Sequence, residues 1–108
     1  KDDFTIMKEE PFGPLVPILT FKTFDEVIER ANDNDLGLCS YLYTNSMDKA
    51  HIGSEKLESG CVAVNTGVVA LAEAPFGGIK QTGYGREGGS GAIKDYLNVK
   101  YTHMGLKI

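Results

Sequence analysis

The sequence of 108 residues predicts an α/β fold in which parallel strands are connected by crossover helices. Two observations lead to this prediction. Segments rich in branched apolar side chains alternate with segments of helical periodicity, and a Thr or Ser that can cap a helix precedes each helical segment. Because a helix must carry the chain back across the sheet, consecutive strands are expected to lie side by side in parallel.

Residues 15–34 are predicted to form one strand and one helix. The strand covers residues 15–21, which are rich in branched apolar residues and follow a Gly-Pro turn. A capping box then predicts a helix start, because Thr23 and Glu26 can each satisfy one free N–H group. This helix is expected to end near Asn34. Its apolar stripe consists of Phe24, Val27, Ile28 and Ala31.

The second predicted strand covers residues 38–44 and is followed by Ser46, a helix N-cap. The helix after this cap carries a weaker stripe and is expected to end at Gly60. A short apolar run at residues 61–65 then predicts a buried strand. The stripe of this second helix consists of Met47, Ala50, Ser54 and Leu57.

A long structured loop is predicted after Asn65, because nine of the thirteen glycines lie between Gly60 and Gly91. So many glycines are tolerated where the backbone turns sharply or passes close to another group. A short helix is expected at residues 90–96, and a final strand with two polar faces at residues 98–108.

Charge and composition exclude several classes of protein. Fifteen acidic and eleven basic residues give a net charge of −4, and no basic stripe is present, so nucleic acid is not expected as a partner. The apolar runs are shorter than the about 20 residues of a membrane span. Two cysteines without metal-ligand spacing fit a reducing, cytoplasmic location. The chain starts at Lys1 without a methionine, and we expect it to be a piece of a longer polypeptide.

Residues 83–88 match the dinucleotide fingerprint G-x-G-x-x-G, in which glycines let a pyrophosphate approach a helix N-terminus. A working fingerprint requires an apolar strand directly before it and an acidic residue about 20 residues later. Neither is present, so the segment is predicted to be a turn-rich loop, and a phosphate-binding function fails this test.

No residue of the chain is predicted to be catalytic, and no metal site is predicted. Cys39 and Cys61 lie in apolar strands and are expected to behave as small buried hydrophobic residues, not as nucleophiles. His51 and His103 lack partners at metal spacing and are expected on the surface. Asp33 and Asp35 are expected to lie at a solvated helix end and not to act as a pair of catalytic carboxylates.

The segment at residues 9–14 has two interpretations. Two glutamates and an aromatic residue are held between two prolines, and rigid loops of this kind often carry function. Alternatively, the segment is a strand start in which Phe12 fills the core and the glutamates are solvated. The residues alone slightly favour the second interpretation.

Several motifs occur along the chain in a fixed order: Glu9-Glu10-Pro11-Phe12-Gly13-Pro14, Ala31-Asn32 with Leu36-Gly37-Leu38, Gly60-Cys61-Val62-Ala63-Val64-Asn65, Pro75-Phe76-Gly77-Gly78-Ile79-Lys80, and Gly83-Tyr84-Gly85-Arg86-Glu87. Together they resemble the C-terminal region of the aldehyde dehydrogenase superfamily. The resemblance covers almost the whole chain.

This resemblance implies an enzyme that oxidises an aldehyde to a carboxylic acid with NAD or NADP through a cysteine thioester. It implies that Glu10 holds the hydroxyls of the nicotinamide ribose and that Phe12 packs beside the nicotinamide. It places Asn65, Ala70 and Phe76 at the substrate pocket, with residues 66–74 along the access path of the aldehyde. The motifs look most like the succinate-semialdehyde group, although that group usually has a Ser near Ala70.

The resemblance further implies that residues 1–97 are a partial catalytic domain and that residues 98–108 form an oligomerisation strand of a homodimer or homotetramer. The catalytic cysteine, the general base and the dinucleotide-binding domain lie upstream in the family, so the chain alone is expected to be inactive. The alternative is a stand-alone interaction module without catalysis, which would form a stable, monodisperse species.

Overall fold

The computed structural model describes residues 3–107. Strands Cys39–Leu42 (β2) and Cys61–Val64 (β3) pair in parallel, and helix Met47–Lys56 (α2) lies between them in the chain, which confirms the predicted α/β class. Strands Leu36–Gly37 (β1) and Ile79–Lys80 (β4) form a separate antiparallel pair, which was not predicted. In chain order the elements are a 3-10 helix Thr5–Met7, α1 Phe24–Asn32, β1 Leu36–Gly37, β2 Cys39–Leu42, α2 Met47–Lys56, β3 Cys61–Val64, β4 Ile79–Lys80 and a 3-10 helix Ala92–Tyr96.

Helix α1 begins at the predicted capping box. The Thr23 side chain accepts a hydrogen bond from the Glu26 N–H at 3.2 Å, and the Glu26 carboxylate accepts one from the Lys22 N–H at 2.8 Å. The Glu side chain therefore satisfies the N–H of the residue before the cap instead of the cap itself. Of the predicted apolar stripe, Ile28 is buried but Ala31 is exposed, so the packed face of α1 is narrower than predicted.

Helix α2 begins at its predicted cap, where the Ser46 hydroxyl accepts a hydrogen bond from the Lys49 N–H at 3.3 Å. The predicted stripe of α2 is wrong at its first position, because Met47 is 83% exposed. Gly53 is the buried residue of the helix and lies against Leu42 of β2. A residue without a side chain at this position lets α2 lie close to the sheet.

The strand predicted over residues 15–21 does not form. Val16 is 81% exposed and Ile18 is 87% exposed. A strand requires a partner for its backbone groups, and within residues 3–107 no other strand pairs with this segment. The prediction was wrong because apolar composition alone does not supply the neighbouring strand.

The segment after the second 3-10 helix also pairs with no strand of the described chain, and its side chains are exposed, including Val99 and Leu106. The last residue of the predicted strand, Ile108, lies outside the described residues. The oligomerisation strand at residues 98–108 therefore remains a prediction. The radius of gyration is 19.5 Å, against about 13 Å for a compact domain of 100 residues.

Lys80 joins the two halves of the fold. Its backbone has φ of +57°, and its Nζ donates hydrogen bonds to the carbonyl oxygens of Asn32 at 2.8 Å and Asn34 at 3.0 Å. The same ammonium lies 2.6 Å from the Glu58 carboxylate. Carbonyl groups at the end of a helix lack intrahelical donors and carry partial negative charge. Lys80 thus completes the C-terminal end of α1 from a distant part of the chain.

We expect Lys80→Met to lower the free energy of unfolding by about 2 kcal/mol, because the part-buried carbonyl contact at Asn32 and the exposed one at Asn34 both lose a charged donor. Urea denaturation of the variant and the unaltered protein measures this difference. Lys49→Met is the matched control, because Lys49 is exposed on α2, and a surface change of this kind costs less than about 0.5 kcal/mol. Equal losses for the two variants would show that the ammonium of Lys80 does not stabilise the end of α1.

Candidate functional site

An open cleft of about 1540 Å³ lies between residues 6–10, the second half of α1, the turn at residues 32–36 and residues 80–84. Among the predicted site residues only Glu10 lines this cleft. The walls carry charges of both signs, from Lys8, Arg30 and Lys80 and from Glu9, Glu10, Asp33 and Asp35. Apolar side chains lie between these charges, among them Ile6, Phe21 and Val27.

Phe12 projects from the chain and is 96% exposed. The alternative interpretation of residues 9–14, in which Phe12 fills the core, is therefore wrong. An aromatic ring left uncovered next to an exposed Glu10 is available to pack against another surface. Its predicted place beside a nicotinamide is not tested by this structure.

Asn65 lies directly after β3 in the left-handed region, with φ of +55°. Its N–H donates to the Leu42 carbonyl oxygen at 2.8 Å. Its side-chain Oδ1 accepts from the Thr44 N–H at 2.8 Å, and its Nδ2 donates to the Thr44 carbonyl oxygen at 2.9 Å. Three hydrogen bonds therefore connect Asn65 to the end of β2.

The loop at residues 66–74 starts at Asn65 and contains the exposed Ala70. Its first turn is held by a hydrogen bond from the Val68 N–H to the Thr66 hydroxyl at 3.2 Å. Its far end is held by a hydrogen bond from the Gly89 N–H to the Ala72 carbonyl oxygen at 2.9 Å. The loop predicted to line the aldehyde's path is thus attached at both ends to other parts of the fold.

Phe76 is half-buried, and its backbone forms an isolated antiparallel bridge with Glu87, with both N···O distances at 2.7 Å. Beside it, the Arg86 guanidinium donates hydrogen bonds to the carbonyl oxygens of Gly78 at 2.8 Å and Gly85 at 2.7 Å. These contacts pack glycine backbone against glycine backbone. The prediction of a structured loop with close backbone approaches is confirmed.

The fingerprint-like segment at residues 83–88 is a turn-rich loop, as predicted. Gly83, Gly85 and Gly88 all have positive φ, at 115°, 91° and 68°. The preceding strand β4 has two residues, and the next helical element is the 3-10 helix that starts at Ala92. The segment therefore presents no α-helix N-terminus to a phosphate.

Cys39 and Cys61 occupy opposite positions in the parallel pair of β2 and β3, and both are half-buried. Burial raises the pKa of the Cys39 thiol, and the neighbouring Cys61 raises it further through its charge and through a side-chain hydrogen bond. Cys39 is therefore protonated near neutral pH, which makes it a poor nucleophile. That Cys39 has no catalytic role stays a prediction.

The remaining titratable residues considered from the sequence lie on the surface. His51, His103, Asp33 and Asp35 are exposed. Across residues 3–107 no three His, Cys, Asp or Glu side chains are grouped closely enough to hold a metal ion. None of the helices described is long and apolar enough to span a membrane.

The structure does not bring the five predicted site residues into one pocket. Glu10 lines the cleft beside α1, whereas Phe12, Asn65, Ala70 and Phe76 do not line it. The contacts of Asn32 were not predicted from the sequence. Its Nδ2 donates a hydrogen bond to the Lys56 carbonyl oxygen at 2.8 Å, and its Oδ1 accepts one from the Glu58 N–H at 2.9 Å. The only local signal for these contacts was the presence of an Asn at the end of α1.

The family model described as "Aldehyde dehydrogenase family" matches residues 1–102 of the chain. The chain belongs to the aldehyde dehydrogenase family. The resemblance to this family that the sequence indicated is therefore confirmed.

Relatives in the aldehyde dehydrogenase family include two named for semialdehydes. The chain is 46% identical over 101 residues to the NADP(+) succinate-semialdehyde dehydrogenase of Escherichia coli strain K12, covering 94% of this chain and 21% of that protein. It is 49% identical over 96 residues to a glutarate-semialdehyde dehydrogenase of Pseudomonas putida, covering 89% and 20%. The solved NAD+ complex of a Bacillus cereus aldehyde dehydrogenase superposes with a TM-score of 0.89 at 47% identity, covering 93% of this chain and 20% of that one.

The chain thus spans about a fifth of the length of the curated aldehyde dehydrogenases it matches. Their names attach both NADP and NAD+ to the family. Both semialdehydes named carry a carboxylate at the end opposite the aldehyde.

Proposed function

We propose that this chain is the C-terminal part of an NAD(P)-dependent aldehyde dehydrogenase that oxidises a carboxylate-bearing semialdehyde to the dicarboxylic acid through a cysteine thioester. The observation that carries the proposal is the identity of 44% to 49% with semialdehyde dehydrogenases over about nine-tenths of the chain. The resemblance places the nucleophilic cysteine and the general base outside these 108 residues.

Glu10 and Phe12 are the residues of this chain that fit a nicotinamide nucleoside. When bound, NAD(P) accepts the hydride that leaves the aldehyde carbon. The Glu10 carboxylate is exposed in the wall of the cleft beside α1. An ionised carboxylate accepts hydrogen bonds from two hydroxyl groups. Phe12 is 96% exposed on the same Pro-flanked segment. Glu10 is expected to orient the ribose, and Phe12 to cover one face of the ring.

Asn65, Ala70 and Phe76 are the residues proposed for the aldehyde end of the site. They lie on or beside the loop at residues 66–74, which is attached at both ends. Residues on loops held by a rigid scaffold are well placed to set substrate specificity. Ala70 carries no hydroxyl to bond the second carboxylate, so the loop backbone or another part of the enzyme must supply that donor.

Turnover of the full-length enzyme on succinate semialdehyde and on butanal tests the proposed substrate class. We expect a higher kcat/KM for succinate semialdehyde, and a further gain of about tenfold in Ala70→Ser, since one hydrogen bond to a charged group is added. Equal kcat/KM values for the two aldehydes would exclude a preference for substrates that carry a second carboxylate. The 108-residue chain assayed beside the full enzyme is expected to show no turnover.

The structure favours this proposal over a stand-alone interaction module. The chain extends over 74 × 33 × 23 Å and leaves Val16, Ile18 and Val99 uncovered, whereas a self-contained module is expected to bury such residues. We further propose that residues 98–108 pair with a second subunit in a homo-oligomer, because an unpaired extended segment gains backbone hydrogen bonds in this way. Two free cysteines favour a cytoplasmic location.

A further inference from the structure

We infer that Asn65 is a positioning residue for the specificity loop at residues 66–74 and that it acts by replacing one rung of the β2–β3 ladder with its side chain. The inference rests on the proposed function, because it concerns the loop proposed to line the aldehyde's path. It changes the role of Asn65 from a residue of the substrate pocket to a residue that fixes where this pocket's loop begins.

The geometry of the ladder supports this role. The four paired positions of β2 and β3 end at Leu42 and Val64, and the Asn65 N–H adds the next hydrogen bond to the Leu42 carbonyl oxygen. A strand that continued would next offer a peptide group to Thr44. The Asn65 carboxamide takes that place, accepting from the Thr44 N–H at 2.8 Å and donating to the Thr44 carbonyl oxygen at 2.9 Å.

The main chain leaves the sheet at the same residue. With φ of +55°, Asn65 turns the backbone out of the strand direction, a conformation that Asn adopts more readily than most residues with a side chain. The backbone thus turns into the loop while the side chain continues the pairing. Only a residue that combines a left-handed backbone with a short amide satisfies both requirements.

The backbone conformation of Asn65 and its side-chain hydrogen bonds to Thr44 determine the direction in which the loop at residues 66–74 leaves the sheet. Its first turn, closed by the hydrogen bond from the Val68 N–H to the Thr66 hydroxyl, begins immediately after Asn65. The two side-chain hydrogen bonds between Asn65 and Thr44 are called the Asn65 clamp below. Its far end is held separately at Ala72 by the Gly89 N–H. Loss of the Asn65 clamp therefore releases one end of the loop and leaves the other attached, which alters how the loop meets substrate without removing it.

Three substitutions in the full-length enzyme separate the backbone conformation from the clamp. Asn65→Gly keeps the left-handed conformation available and removes the clamp. Asn65→Asp keeps the acceptor for the Thr44 N–H but sets a carboxylate oxygen against the Thr44 carbonyl oxygen. Asn45→Asp is the matched control, because it adds the same charge at an exposed position next to Thr44 and leaves the clamp intact.

We expect Asn65→Gly and Asn65→Asp to raise KM for succinate semialdehyde by about tenfold, since small displacements of a substrate-positioning segment have effects of this size. The KM for butanal, which makes fewer contacts with the loop, is expected to rise less, and kcat to change little. Asn45→Asp is expected to match the unaltered enzyme. A purely structural role would instead lower the amount of active enzyme and affect both aldehydes equally.

Two results would overturn the inference. If Asn65→Gly has unaltered KM for both aldehydes, only the backbone conformation matters and the clamp does not position the loop. If both aldehydes lose efficiency in proportion to a fall in Tm, Asn65 stabilises the fold alone. Absence of any semialdehyde oxidation by the unaltered enzyme is a different result, which refutes the proposed function before Asn65 is tested.

Discussion

Glu10→Gln in the full-length enzyme is expected to lower kcat by roughly 10- to 100-fold, the loss that corresponds to one charge-assisted hydrogen bond. In the proposed role, both carboxylate oxygens of Glu10 hold ribose hydroxyls, and the amide of Gln keeps only one acceptor. The nicotinamide ring would then sample orientations in which hydride transfer is slow. Stopped-flow measurement of NAD(P)H formation, with aldehyde and its C1-deuterated form, measures the hydride step directly.

Glu9→Gln is the matched control for this prediction. Glu9 and Glu10 are neighbours, both exposed, and both line the same cleft. A general effect of removing a negative charge would therefore appear equally in the two variants. The proposed role requires a larger isotope effect and a slower hydride step in Glu10→Gln only, with Tm unchanged, because an exposed carboxylate contributes little to stability. Equal kinetics in the two variants would remove Glu10 from the cofactor site.

The helices and the parallel strand pair were predictable because their signals are local. Thr23 and Ser46 mark the two helix starts through side-chain caps that involve residues only three positions away. The alternation of β2, α2 and β3 then requires a parallel pairing. In each case the information that determines the element lies within a few neighbouring residues.

The errors concern contacts between residues far apart in the chain. Residues 15–21 have strand composition but no partner strand in the described chain, and β1 and β4 have two residues each, too few for any periodicity. In the pairing of β1 with β4, Leu36 lies opposite Lys80, whose side chain reaches the end of α1. No pattern within one segment predicts such a connection.

The candidate site shows the same division. Asn65 was predicted as a site residue from the family resemblance, but its bond to Thr44 spans 21 positions and has no sequence signal beyond the tolerance of Asn for positive φ. For Phe12, the residues alone slightly favoured the interpretation in which its side chain fills the core. Its exposure reflects the absence of a facing surface, which depends on the tertiary structure and not on the segment itself.

The second large effect is expected at Gly60, the residue directly before β3. A Cβ atom at this position would overlap the carbonyl oxygen of Gly77 and lie 2.8 Å from the Gly78 Cα. These neighbours are backbone atoms, so no side chain can rotate away to make room. We expect Gly60→Ala to lower the free energy of unfolding by about 3 kcal/mol, at the upper end of the usual cost of overpacking.

Thermal unfolding of the full-length enzyme measures this loss, and Gly67→Ala is its control. Gly67→Ala is the same substitution in the adjoining loop, but a Cβ atom at position 67 meets no atom within 4 Å. The contact between Gly60 and Gly77 also connects β3, which Asn65 directly follows, to the loop that carries Phe76. Relief of the overlap must move one of these segments away from the other. Gly60→Ala enzyme that remains folded is therefore expected to lose kcat/KM as well as Tm, whereas a Tm equal to that of Gly67→Ala would show that the two segments are not in close contact.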